Sequence, residues 1–377
     1  MIRVGIIGGG QLGRMLALAG YPLGLRFRFL DPSPDAPVAD LGELIVGAYD
    51  DPDALARFAE GLDVVTYEFE NVPAHVARAL ERQVPVYPPP AALDVAQDRL
   101  SEKTFFNALG IPTPRYVAVD DRAGLDAAVA ELGLPAVLKT RREGYDGKGQ
   151  AILRDAADLD AAWQTLGGRP LILEAFVPYD RELAILAARG RDGSVAVWPV
   201  VEIEQVGGML HRAFVPARRV DDILAATARG YVEIAMAELD YVGVLAIELF
   251  QVGDALLVNE MAPRVHNSGH WTIEGARTSQ FENHLRAILG YPLGETDALG
   301  AIGLQNLIGE MPDPSAILAI PDAHLHHYGK APRPGRKLGH ITVRAADEVT
   351  RDERLAGVDA RARPTRSRTT SPHPTSP

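Results

Sequence analysis

The chain has 377 residues, 47% of them hydrophobic and 23% charged, with a formal net charge of −12 and no cysteine. That length allows two or three domains with a sizeable core, and the charge argues against a nucleic-acid partner. Disulfides, thiolate catalysis and cysteine–zinc sites are excluded, no apolar run suggests a membrane span, and an N-terminus without a signal-like segment points to the cytoplasm.

Ile2–Ile7 reads as a buried strand, and Gly8-Gly9-Gly10-Gln11-Leu12-Gly13 follows it, opening a helix through Ala19. This matches G-x-G-x-x-G, with Asp31 near the expected distance after a second strand, Leu25–Leu30. One reading is an NAD-dependent oxidoreductase; the broader one is a turn that admits an anion or polar ligand to a helix N-terminus. Asp63–Tyr67 is a further strand, running into Glu68-Phe69-Glu70-Asn71. Val84–Tyr87, before three prolines, reads as the last strand of a parallel α/β sheet.

Asp94–Leu109 is predicted to be one helix, with Arg99 and Lys103 one turn apart. Ala136–Lys139 is a short strand ending in lysine, followed by the loop Gly144-Tyr145-Asp146-Gly147-Lys148-Gly149-Gln150. Two cations bracket three glycines, so backbone N–H groups can close over phosphate oxygens. It is not a Walker A loop, because no G-K-[S/T] follows a four-residue spacer. Leu171–Glu174 and Glu182–Ala188 are strands, and a helix follows at about Ile223–Leu239.

Two carboxylates then lie on neighbouring strands, Glu248 at the end of the apolar run Val242–Phe250 and Glu260 after the turn signal Gly253–Asp254. A two-residue loop sets Glu248 opposite Asn259; a three-residue loop sets it opposite Glu260. In the second register the carboxylates share a face with Cα atoms roughly 4.5–5.5 Å apart. Like charges that close need a cation between them, and hard oxygen ligands suit Mg2+. Arg264, His266, Asn267 and His270 follow in a predicted loop, a set able to capture a small planar anion.

Gln280–Leu289 is helical, and a small C-terminal unit spans about 300–345. His326, His327, Lys330, Arg333, Arg336 and Lys337 form the chain's densest basic patch, around a Pro-Gly turn, and suggest a phosphate pocket. Residues 361–377 hold no large apolar side chain and read as disordered. The Arg/Pro/Thr/Ser-rich stretch from Ala360 resembles translation in a shifted frame, or a truncated gene.

These pieces in this order resemble the ATP-grasp superfamily and, within it, the N5-carboxyaminoimidazole ribonucleotide synthetases, from Ile2 to about Thr342. The most specific parts are Gly8–Met15, Gly144–Gln150, Asn259–Thr272 and Arg333–His340. The resemblance implies an α/β enzyme: a Rossmann-like domain at 1–93, an ATP-grasp body of two sheets clamping ATP at 94–299, and a small β domain at 300–347. It stops after about residue 345, where the family continues into a strand and helix, and 348–377 is expected instead to be an irregular or disordered tail. It implies ATP and Mg2+ (or Mn2+) as cofactors, aminoimidazole ribonucleotide and bicarbonate as substrates, and a homodimer. Lys139 and Lys148 would meet the ATP phosphates under the lid Gly144, Tyr145, Asp146, Gly147, Lys148, Gly149 and Gln150. Glu174, Ala175, Phe176 and Val177 would form the adenine hinge, and Glu182 would take the ribose. Arg99 and Asn259 would join the nucleotide site. Gln205 stands where the family is expected to carry a histidine near the nucleotide. Glu248 and Glu260 would hold the metal; Arg264, His266 and Asn267 the bicarbonate or its phosphorylated form. Gln11, Leu12 and Glu68 or Glu70 would face the ribonucleotide, and Lys330, Arg336 and Lys337 its 5′-phosphate. A nearer alternative is another ATP-grasp ligase, such as a formate-dependent glycinamide ribonucleotide transformylase.

Overall fold

The computed structural model describes residues 1–144 and 147–362, arranged around three sheets. The first is parallel, in the order Glu43–Val46, Arg26–Asp31, Arg3–Ile7, Val64–Tyr67. Ile6, Ile7, Phe29 and Val65 are all fully buried, as a sheet covered by helices on both faces requires. Val84–Tyr87 does not form the further strand expected of it. It makes one parallel bridge, Val86 to Val65, because Pro85 and Pro88 have no N–H to donate.

The second sheet is antiparallel, in the order Tyr116–Val119, Leu171–Ala175, Ala136–Thr140, Gln150–Leu153. Its register sets Lys139 between Gln150 and Ile172, at the edge of the glycine loop. The third sheet is antiparallel with nine strands, and the hairpin Gly243–Val252 and Ala255–Ala262 forms one end of it. The C-terminal strands Ala301–Ile308, Lys337–Ala345 and Ala323–His327 continue the same sheet, joined where Arg212 pairs with Gln305. The C-terminal β unit therefore shares its backbone hydrogen bonds with the body, and the basic patch is tied to it.

The single helix expected over 94–109 is two, Pro90–Ala96 and Arg99–Ala108. Asp98 breaks it: its carboxylate accepts from Leu100 N at 3.0 Å as an N-cap and from Arg141 at 2.7 and 2.9 Å. The irregular chain expected from residue 348 is also corrected. Glu348–Ala362 is a helix, with Leu355 and Val358 buried against the C-terminal strands. Those two apolar positions lie three apart on one helix face. The Arg/Pro/Thr/Ser-rich stretch lies outside the described residues from 363 onward. Among the described residues no helix is long and apolar enough to cross a membrane.

The helix Gln280–Leu289 is capped by Ser279 and ended by Gly290 at φ 73°. It is unusual in burying polar side chains, Gln280, Asn283 and His284, completely. His284 Nδ1 accepts from Val244 N at 3.1 Å, and Nε2 lies 2.8 Å from Thr66 Oγ1 on the parallel sheet. With Nδ1 accepting, Nε2 carries the proton and donates to Thr66. Burial pushes the His284 imidazole from 6.5 down to about 3. Below about pH 6.5 the unfolded chain binds a proton here that the folded chain refuses. Stability is therefore full above that pH and falls as pH drops toward 3. The thermal midpoint of His284→Gln should decline less steeply between pH 7 and pH 5 than that of the parent. Identical slopes would contradict this role.

Candidate active site

A cleft of about 700 Å³ runs between the three sheets, with walls from the glycine-rich N-terminal turn, the hairpin, the anion loop and the basic patch. The hairpin holds both predicted registers. The strands start from a two-residue loop, Val252 opposite Ala255, and keep that register to Leu249 opposite Val258. A bulge at Asn259 then shifts the pairing, and Glu248 faces Glu260. Bulges re-aim side chains beside sites, and here the extra residue brings two acids onto one face. Burial, then Glu260 and Glu182, push Glu248 up to about 8. Such crowding is what a divalent cation relieves. Among the described residues no trio of acidic or histidine side chains gathers around a metal position. The donor set is the carboxylate pair; next in sequence to Glu260, the Asn259 side-chain oxygen is buried without a partner. Hard oxygens of this kind fit Mg2+, with phosphate and water completing its shell.

Behind the hairpin lies a buried charge cluster. Lys139 Nζ meets Glu174 Oε2 at 2.8 Å, and Lys103 Nζ meets Glu174 Oε1 at 3.4 Å. Burial opposes ionisation of Glu174, yet the two lysines hold it at about 2. Its carboxylate is thus committed to lysines rather than open to a base. Of the neighbouring backbone, Ala175 N donates to Arg115 O and Phe176 N to Pro135 O. Glu182 is half-buried beside the ring of Tyr179, which stacks on Phe250 with centroids 4.6 Å apart. Arg99 spans the cleft, with Nη1 3.0 Å from Glu260 Oε2 and Nη2 3.4 Å from Gly144 O. The glycine loop approaches the turn at Gly207–Gly208: a Cβ on Gly147, at φ +73°, would lie 3.0 Å from the Gly207 carbonyl oxygen. Tyr145 and Asp146 lie outside the described residues. Gly144, Lys148 and Gln205 line the cleft; Gln150 pairs with Lys139, and a Cβ on Gly149 would lie 2.6 Å from Thr140 Oγ1.

The anion loop sits on the other side of Glu248. Arg264 Nε donates to Glu70 Oε2, and Nη1 donates to the Val265 carbonyl at 3.1 Å. Burial disfavours the Glu70 carboxylate, but Arg264 holds it at about 2. Burial, then Arg264 and Lys337, push His266 down to about 3, so the ring is neutral. Its Nδ1 accepts from Ser268 N at 3.3 Å, which puts the proton on Nε2, 3.7 Å from Glu248 Oε1. Asn267 exchanges amide hydrogen bonds with Asn306 at 2.8 and 3.1 Å. His270 is buried deeper, its ring 5.0 Å from that of His340.

The glycine-rich turn carries an anion, and it is the chain's own. Glu68 accepts from Gly10 N, and from Gly13 N at 2.7 Å, while Asp31 accepts from Gly9 N at 2.8 Å. A Cβ on Gly8 would lie 2.4 Å from Glu68 Cγ. The glycines therefore admit Glu68, and the dinucleotide reading fails because a carboxylate fills the pyrophosphate position. From the same turn Gln11 accepts a hydrogen bond from Lys330. Gln11, Leu12, Glu68, Lys330, Arg336 and Lys337 share one part of the cleft.

Several participants escaped the sequence reading: Glu102, the Asp98–Arg141 pair and Gln280, while Lys103 was noted beside Arg99 without its partner Glu174. Glu102 is pushed up to about 8, by burial and then Glu260, and accepts from Met261 N at 2.6 Å. Asp98 alone had a readable signal, an N-cap residue just before a helical pattern.

The geometry has counterparts among known proteins. Residues 1–97 match the ribonucleotide synthetase preATP-grasp domain, 104–281 the ATP-grasp domain, and 304–354 the phosphoribosylaminoimidazole carboxylase C-terminal domain. The chain is 52% identical to the N5-carboxyaminoimidazole ribonucleotide synthase of Pseudomonas aeruginosa, over 95% of this chain and 99% of that protein. It is similar to the crystal structure of N5-carboxyaminoimidazole ribonucleotide synthetase from Thermus thermophilus, with 58% identity, TM-score 0.92, and 95% of this chain and 98% of that one covered. It also resembles the Aspergillus clavatus synthase in complex with ADP and 5-aminoimidazole ribonucleotide, with 32% identity, TM-score 0.88, and 95% and 99% covered. With three matched segments in order and half of its residues shared with a relative along nearly the whole length, the chain belongs to the N5-carboxyaminoimidazole ribonucleotide synthase family of ATP-grasp ligases.

Proposed function

We propose that the protein joins bicarbonate to aminoimidazole ribonucleotide at the expense of ATP, yielding N5-carboxyaminoimidazole ribonucleotide for purine synthesis. The observation that carries this reading is one continuous cleft shared by a face-to-face carboxylate pair, an arginine–histidine anion loop and a basic patch. A bicarbonate oxygen attacks the γ-phosphorus, the bond to ADP breaks, and carboxyphosphate forms. Its carboxyl group leaves as CO2 and is captured by the exocyclic amine of the ribonucleotide, which loses a proton as phosphate departs.

The protein's share is positioning and charge neutralisation. Lys139 and Lys148 hold phosphate oxygens, with Arg99 and Asn259 beside them. Glu248 and Glu260 would hold Mg2+, which supplies Lewis-acid stabilisation of the transferring phosphoryl group. Arg264, the neutral His266 through its Nε2–H, and Asn267 hold the bicarbonate-derived carboxylate. Gln11, Leu12 and Glu68 face the ribonucleotide, Glu68 rather than Glu70 because the Glu70 carboxylate is held by Arg264; Lys330, Arg336 and Lys337 take its 5′-phosphate. The hinge Glu174–Val177 takes adenine through backbone groups other than the Ala175 and Phe176 N–H, which are paired within the fold, since the Glu174 carboxylate is spent on lysines. Glu182 takes the ribose, and Gln205 stands beside the nucleotide. Closure of the lid Gly144–Gln150 keeps water from the intermediate. We further propose a cytoplasmic homodimer, divided near residues 93 and 299, with the helix Glu348–Ala362 belonging to the C-terminal unit.

ADP release by purified protein with Mg-ATP tests the reading. ADP formation should need both the ribonucleotide and bicarbonate, and formate should not replace bicarbonate. Formate-supported turnover would move the protein to the transformylase reaction. Lys337→Ala should raise the KM for the ribonucleotide by about tenfold or more with little change for ATP, as loss of one phosphate contact predicts. The reverse pattern would move the phosphate pocket elsewhere.

A further inference from the structure

Gln280 does not line the cleft, yet its fully buried amide is joined to the loop bearing Arg264, His266, Asn267 and His270 by three hydrogen bonds. Oε1 accepts from His266 N at 2.8 Å, and Nε2 donates to His266 O at 2.7 Å and to His270 Nδ1 at 3.2 Å. The side chain thus grips both polar groups of one residue's backbone, as a neighbouring β-strand would. The grip is itself fixed. Gln280 N donates to Thr272 Oγ1 at 2.9 Å, Thr272 Oγ1 donates to Gly269 O at 2.6 Å, and a Cβ on Gly269 would lie 2.6 Å from Gln280 Oε1. One turn along the same helix, His284 fastens to Val244 and Thr66. The loop bearing Arg264 and His266 hangs from a helix bolted to the parallel sheet and to the nine-stranded sheet, and among the described residues it pairs with no strand.

We propose that Gln280 is a positioning residue for the bicarbonate-side anion, acting by setting the His266 peptide and hence the line from His266 Nε2 to the carboxylate. This rests on the reading of Arg264, His266 and Asn267 as the bicarbonate-side group. The amide is required because the task needs one acceptor and one donor about 2 Å apart in a plane, which few side chains supply. A neutral glutamic acid supplies both; its carboxylate supplies only the acceptor, and leucine neither.

The test compares Gln280→Leu and Gln280→Glu with the parent by ADP release. Gln280→Leu should lower kcat/KM for bicarbonate by at least about tenfold, the scale of a misplaced reacting group. The KM for ATP should stay within about twofold, and Mg-ATP should still raise the thermal midpoint. Gln280→Glu, its acid form favoured by burial, should recover toward parental activity as pH falls from 8.5 to 6.5, while Gln280→Leu should not. Equal losses for ATP and bicarbonate, or parental bicarbonate kinetics in Gln280→Leu, would overturn the proposal. Should Gln280→Leu fail to fold, a Gln280→Glu activity that shows no recovery at low pH overturns it. A parent that lacks bicarbonate-dependent turnover would instead sink the functional reading itself.

Discussion

Glu260→Ala is expected to abolish ADP formation, by about a thousandfold or more, at any Mg2+ concentration. Two losses combine. Glu248 keeps its buried position but has no acidic partner across the hairpin, so the pair proposed to hold Mg2+ is gone. Arg99 loses its carboxylate at 3.0 Å and becomes a buried cation facing the phosphate path. A Lewis acid on a transferring phosphoryl group stabilises the transition state by several kcal/mol, and each 1.36 kcal/mol is tenfold in rate. Steady-state ADP release at rising Mg2+ checks this, and near-parental turnover at saturating Mg2+ would remove the metal role from Glu260. Glu260→Gln should fail nearly as badly, since the amide keeps the shape but carries no charge.

Arg264→Ala should cost about a hundredfold or more in ribonucleotide-dependent turnover, and Arg264→Lys should not restore it. The guanidinium is locked in plane by Glu70 and by the Val265 carbonyl. Its remaining N–H groups can meet a carboxylate as a planar fork, a geometry lysine cannot copy. Removing it also strands Glu70, whose ionised form depends on Arg264. Glu70→Gln separates the effects. If Arg264 acts on substrate, Glu70→Gln should retain far more activity than Arg264→Ala, as measured by kcat/KM for bicarbonate. Equal losses would mean that the ion pair matters only as a strut.

Much of this site was legible because its chemistry is local. Lysine at the end of Ala136–Lys139 before a glycine loop, acids on adjoining strands, and arginine and histidine directly after them are statements about neighbours in sequence. The hairpin shows the limit of such reading. Loop length allowed either Asn259 or Glu260 opposite Glu248, and the bulge at Asn259 resolves the choice by using both registers in turn. Nothing in local propensity announces a bulge there; the geometry depends on the strand packed alongside, Arg181–Arg189. The glycine turn shows the same limit differently. Its glycines did signal a close anion, but Glu68, 55 residues from Gly13, fills the place. Glu102 and Gln280 were hidden because they sit on helices whose pattern reads as ordinary, and only tertiary contact gives each a partner. The helix Glu348–Ala362 was lost to a composition argument drawn from the stretch after it.

Turnover with Mg-ATP, the ribonucleotide and 18O-labelled bicarbonate tests the central claim most directly. If a bicarbonate oxygen attacks the γ-phosphorus and the carbon–oxygen bond later breaks, that oxygen stays with phosphorus. The account predicts one 18O in the phosphate released in a single turnover, with ADP formation that depends on the ribonucleotide. Phosphate free of label, or equal ADP production without the ribonucleotide, would contradict it.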